Sequence, residues 1–218
     1  MDVNDKFGLN QQEQERLFQI RKTFQVSLNK LSSNDTKEIG YQECKRVIDF
    51  NTDPACLRIY LSLLCERHKN STTSNKELQI LLFGQLARVY RGNLLDPLDK
   101  PPSLLKTVVR VCEHIHSFLK ENSTQIQTAC ASSLMEILDH CFSSKEDKLS
   151  LSLIFYEPMA VVINGGLDQI GQMGAAMCIQ KLLEYLIASK HEALLDFVVP
   201  KLIQLFYVKK STLTFIEN

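Results

Sequence analysis

A chain of 218 residues with 25 Lys and Arg against 25 Asp and Glu is formally neutral, and 44% of it is hydrophobic. That apolar content is ample for a core, while neutrality argues against a dedicated nucleic-acid binder, which carries a basic excess. Seven Cys without regular spacing exclude a disulfide framework; Cys44, Cys112, Cys130 and Cys178 fall inside apolar helical patterns and are expected as small buried hydrophobes.

Met1-Asp2-Val3-Asn4-Asp5-Lys6 lacks the apolar run of a signal peptide, and no stretch reaches membrane-spanning length. The expectation is a cytoplasmic protein with no membrane partner, in which the Asn-x-Ser/Thr triplets at Asn34, Asn70 and Asn122 are turn chemistry. Residues 1–10 are expected to form a loose arm, and 11–218 a single domain.

Gln11 to Leu31 carries Leu17, Ile20, Phe24, Leu28 and Leu31 at helical spacing. Ser33, Asn34 and Asp35 offer N-caps to a second helix, Thr36 to Phe50, with Ile39, Cys44, Val47 and Ile48 inward. Asp53-Pro54 is a cap followed by a first-turn proline and opens a helix to Arg67. A Ser/Thr/Asn loop leads to Lys76–Tyr90, and the connection from Arg91 to Ser103 holds Gly92, Pro97, Pro101 and Pro102. Leu104–Leu119 and Thr124–Phe142 form a third pair, the second helix capped by Ser123 or Thr124. Leu149–Ile163, interrupted at Pro158, and Leu167–Ala188 form a fourth. Glu192–Tyr207, with Pro200 inside it, opens a fifth pair, and Ser211–Asn218 begins its partner. No segment alternates as a strand.

These hairpins turn at short polar loops: 32–36, 68–75, 120–124, 164–166 and 208–212. The spacing is roughly 38 to 50 residues, the period of two-helix HEAT-type repeats. The expected fold is all-α, a right-handed α-solenoid of about four and a half HEAT-like hairpins with its loops along one edge. Ending in mid-repeat, the chain is expected to be the ordered part of a longer protein or to be completed by a neighbour.

Particular residues add a family. Phe24-Gln25-Val26-Ser27-Leu28-Asn29-Lys30-Leu31-Ser32-Ser33-Asn34-Asp35-Thr36 resembles the opening of the TOG-like domain in Tortifolia/Spiral-type microtubule-associated proteins. Leu119 to Cys130 is similar to that family's third loop and following helix, Gln169 to Ile179 to its glycine–alanine–alanine helix, and Phe197 to Leu213 to its fifth repeat. The resemblance implies a paddle of HEAT repeats whose loops engage tubulin or the microtubule lattice. It places Lys30 and Lys37 at the first loop, Lys69 and Lys76 at the second and Lys120 at the third. Asn164 and Asp168 would stand at the fourth loop, and Lys209 and Lys210 at the fifth. A row of lysines would steer an acidic tubulin surface without a large net charge. The chain has no Trp, its first loop is Ser-Ser-Asn-Asp-Thr, and Glu66 and Glu121 sit among the lysines. These departures from tubulin-capturing domains count against capture of free tubulin and leave weaker lattice binding or a structural role beside microtubules.

Enzymatic and metal chemistry find little footing. Cys112 and His116 lie four apart on a helix, but His114 and His116 face apart and two ligands do not make a site. His140-Cys141 diverge on a helix and lack an orienting acid. Gly171 and Gly174 read as close-packing positions, not a phosphate cradle. Phe18, Phe24, Phe83, Phe118, Phe155 and Phe197 are expected in the core. The expectation is a non-enzymatic microtubule- or tubulin-binding module without cofactor. The alternatives are an adaptor that holds a peptide or helix along its inner face, and a structural component of a ciliary or basal-body assembly.

Overall fold

The computed structural model describes residues 10–69, 75–90, 111–112, 114–120, 123–141 and 169–188, with 195–196, 199–200 and 203. Its helices are α1 (Gln11–Lys30), α2 (Lys37–Phe50), α3 (Pro54–Lys69), α4 (Lys76–Tyr90), α5 (Thr124–Cys141) and α6 (Gln169–Ala188). Residues 114–117 are helical and run into a 3-10 turn at Phe118–Lys120. Among the described residues there is no strand. The residues 195–196, 199–200 and 203 are helical, within the expected fifth pair.

Local chemistry explains the ends. Asn10 accepts from the backbone N–H of Glu13 while the Glu13 carboxylate accepts from Asn10 N–H, a reciprocal cap that starts α1 within the stretch expected to be a loose arm. Asp53 Oδ1 accepts from Ala55 N at 2.8 Å, as the Asp-Pro start of α3 requires. Ser123 Oγ accepts from Ile126 N at 3.4 Å and caps α5. The expected caps of α2 are not used: Thr36 precedes the helix, and its hydroxyl donates back to Lys30 O at 2.8 Å, closing the end of α1 instead.

The architecture is an all-α solenoid in two layers. α1 pairs with α2 and α3 with α4, α1 lies beside α3, and α2, α4, α5 and α6 stack in sequence as the second layer. Cross-links fix their direction. Lys37 reaches Asn75 and Gln85 reaches Asp49, so α2 and α4 run the same way. Ser133 Oγ donates to Ile80 O at 2.8 Å and Arg88 pairs with Glu136, so α5 runs parallel to α4.

The core follows the helical stripes. Phe24, Leu28, Cys44, Ile48, Tyr60, Leu64, Ile80, Phe83, Leu86, Cys130, Leu134, Cys178 and Leu182 are fully buried, each large side chain contributing about 1.5–3 kcal/mol. Phe24 and Tyr60 meet at 4.6 Å between ring centroids. The tyrosine hydroxyls are satisfied: Tyr60 donates to Val47 O, and Tyr90 to Asn51 O at 2.7 Å, which pins the turn between the first two hairpins. Two glycines set close approaches. A Cβ on Gly40 would stand 2.7 Å from Ser27 O, and one on Gly84 would stand 3.1 Å from Ser133 Cα.

Two expectations about the core are corrected. Phe18 is 58% exposed and Ile39 is 56% exposed. Gly40, Cys44 and Ile48 form the inward row of α2, because only a glycine fits against α1 at that crossing; Ile39 is thereby turned out on the face it shares with Glu43 and Phe50. Phe18 lies on the outer side of α1, away from the Ile20–Phe24–Leu28 stripe. Phe24, Phe83 and Phe118 are buried as expected, whereas Phe155 and Phe197 lie outside the described residues.

Candidate functional site

Parallel packing of α2, α4 and α5 has one geometric consequence: the chain enters all three helices from the same edge. Residues 31–36, Asn75 and Ser123, which lead into these helices, therefore share that edge. Each helix N-terminus presents partial positive charge there. The turn at 51–53 lies on the opposite edge, where Asp53 pairs with Arg16 at 2.8 Å.

The first two loops are physically joined. Asn75, just before α4, has a backbone φ of 67°, a left-handed conformation that Asn tolerates better than most residues. From there its Nδ2 donates to Leu31 O at 2.9 Å and its Oδ1 accepts from Lys37 Nζ at 3.2 Å. Near the end of α3, Arg67 Nη2 donates to Ser32 Oγ at 2.6 Å. Two loops some forty residues apart in sequence thus form one ridge bearing Lys37, Arg67 and the first residue of α4, Lys76. Asp35, Glu38 and Glu77 lie close by in sequence, the last two in first helical turns where carboxylates complement the helix dipole.

The proposed lysines are placed unequally. Lys37 is on the ridge, held by Asn75. Lys76 is half-buried at the start of α4 and engaged in contacts of its own. Lys30 is turned inward across the first hairpin: its Nζ lies 2.6 and 2.8 Å from the two Glu43 oxygens, and Ser27 Oγ donates to Glu43 as well. The hydrogen bond from Lys30 holds the Glu43 carboxyl below its ordinary range. Lys69 is the last residue of α3 and Lys120 the last of the 3-10 turn, and their side chains fall outside the described residues. So do Asn164, Asp168, Lys209 and Lys210. A shallow groove of about 500 Å³ between α1 and α2, lined by Gln19, Lys22, Val26, Glu43 and Arg46, lies mid-helix and away from the ridge.

Arg67 and Asn75 were not singled out by sequence. Arg67 sits in an ordinary helical pattern; only the hairpin geometry brings it to Ser32. Asn75 closes a Ser/Thr/Asn run, in which composition cannot distinguish the bridging residue from its neighbours.

A family profile described as TORTIFOLIA1 N-terminal matches residues 18–213. The chain belongs to the TORTIFOLIA1 N-terminal family. Among curated proteins, TORTIFOLIA1-like protein 2 of Arabidopsis thaliana is 22% identical over 175 residues, which is 80% of this chain and 20% of that protein. The chain thus spans a fifth of the length of the relative it matches. For this TORTIFOLIA1 N-terminal member, the matched span includes all four segments on which the resemblance rested, from Phe24–Thr36 to Phe197–Leu213.

Other chemistries meet a specific environment. Cys112 and His116 are both buried, and among the described residues no group of three or more His, Cys, Asp or Glu stands close enough to share a metal ion. No described helix is long and apolar enough to cross a membrane. Burial pushes the thiol of Cys44 up to about 12 and that of Cys56 up to about 11, so neither is a thiolate nucleophile near neutral pH.

Proposed function

We propose that this chain is a non-enzymatic, HEAT-type binding module that meets an acidic protein surface, that of tubulin or the microtubule lattice, along the loop edge. The observation that carries this reading is the ridge itself: Asn75 joins the first two loops, and parallel helices bring their N-termini to the same side. Membership of the TORTIFOLIA1 N-terminal family supports the choice of partner, through the microtubule-associated proteins that the sequence resembles. The contacts assigned are Lys37 and Lys76 on the ridge, together with Lys69, Lys120, Lys209 and Lys210, which the family resemblance assigns to the same binding face. Lys30 acts indirectly by fixing α1 against α2. Affinity built from several such contacts is salt-sensitive and needs no cofactor. The absence of an aromatic residue from the first loop favours the lattice over free dimers, and the site of action would be the cytoskeleton.

Co-sedimentation with stabilised microtubules across a salt series tests this. Pelleting that fades as salt rises, and that falls several-fold in a Lys37→Glu/Lys76→Glu double variant but not in Lys22→Glu in the mid-helix groove away from the ridge, is the expected result. Salt-independent pelleting, or equal loss from Lys22→Glu, would move binding off the loop edge.

A further inference from the structure

Three described cations near acids are paired: Arg16 with Asp53, Lys30 with Glu43 and Arg88 with Glu136. Arg67 differs. It is half-buried, and its guanidinium donates to a hydroxyl, Ser32 Oγ at 2.6 Å. Among the described residues it makes no ion pair. A guanidinium has five N–H donors in a fixed plane, and among the described residues no carboxylate meets the donors that the bond to Ser32 leaves. Taking a cation partly out of water without a counter-charge is unfavourable, and here desolvation pulls the Arg67 pKa below its ordinary value. The cost is borne on the ridge, where Ser32 holds the guanidinium in place before anything arrives.

We propose that Arg67 is the anchor of the loop edge, its guanidinium receiving a Glu or Asp carboxylate of the acidic partner in a side-by-side pair while Ser32 keeps it aimed. This rests on the loop-edge reading and names the group within that edge on which binding turns. An arginine already ordered and half-desolvated loses little on pairing, whereas exposed lysines must be ordered and stay screened. Lysine at position 67 would keep the charge and lose the fork.

The test compares wild type, Arg67→Lys and Lys37→Gln for binding to stabilised microtubules and, by fluorescence anisotropy, to a labelled hexaglutamate peptide, with helicity and urea midpoints as folding controls. Arg67→Lys is expected to weaken both interactions about tenfold, and Lys37→Gln about twofold. Arg67→Lys within twofold of wild type overturns the anchor and leaves the loop edge standing. Arg67-dependent hexaglutamate binding without microtubule pelleting supports the anchor and removes tubulin as the partner. Wild type that binds neither probe overturns both. A fold-sensitive Arg67→Lys does not block the test. In the wild-type protein the side-chain Nε–H resonance of Arg67 should shift on titration with hexaglutamate, and a stationary resonance overturns the anchor.

Discussion

Replacing Asn75 separates two things that residue does. Asn75→Gly keeps the left-handed backbone at φ 67° but deletes the bonds to Leu31 O and Lys37 Nζ. A half-buried carbonyl that loses its donor, with a long amide–ammonium contact beside it, sums to about 1–2 kcal/mol. Asn75→Ala deletes the same bonds and adds left-handed strain on a Cβ, about 1 kcal/mol more, for a total of about 2–3 kcal/mol. At about 2–4 °C per kcal/mol for a chain of this size, the alanine variant should melt about 5–10 °C below wild type, with glycine between them. Urea unfolding at constant m-value gives the free energies directly. Both variants should also weaken microtubule pelleting, because the ridge loses its tie. Glycine as stable as wild type would show that the bridge contributes nothing, and alanine equal to glycine would show that the backbone at residue 75 carries no strain.

Gly40→Ala should destabilise by about 1–3 kcal/mol in urea, since its Cβ would meet the Ser27 carbonyl and the Lys30 stem at 2.7 Å; Gly84→Ala, at 3.1 Å from Ser133 Cα, should cost less. The Glu43 carboxyl, held low by the Lys30 hydrogen bond, contributes stability that is complete above its ordinary value of 4.5 and is lost as pH falls through its lower folded value. Glu43→Gln should therefore flatten the acid limb of a stability–pH curve, and an unchanged limb would assign that limb to other carboxylates. Alkylation of the folded protein should leave Cys44, Cys56, Cys112, Cys130 and Cys178 unmodified and reach Cys65 before them, as peptide mapping by mass spectrometry would show. Tyr90→Phe should cost about 1–2 kcal/mol by leaving Asn51 O without its hydroxyl donor.

Most of the fold was legible because hairpins in a solenoid bury stripes that repeat at helical spacing. Helix starts came within a few residues where a cap and a proline coincide, as at Asp53-Pro54, and the family followed from ordered segments such as Phe24–Thr36. The reading failed where a neighbour decides. Ile39 and Gly40 are adjacent, and only the approach of α1 tells which must face inward. At the candidate site, the family resemblance marked lysines in loops but could not see that Lys30 would fold back on Glu43, nor that Arg67 would arrive at Ser32 from the end of another helix. Both are contacts between residues far apart in sequence, set by how one hairpin sits on the next.

The position of α4 has a consequence for how this chain moves. Walled by α2, α3 and α5, and with Gln79 through Ala87 almost continuously buried, α4 exposes little beyond its two ends to water before its neighbours part. Its amides should be among the last to exchange with deuterium, while α1 loosens first from its exposed outer side. A molecule that breathes at its flank and stays rigid at its middle behaves as a leaf spring clamped at the second hairpin. Strain applied along the loop edge would be absorbed by the first hairpin swinging about the Tyr90–Asn51 clasp, with the centre of the spring unbent.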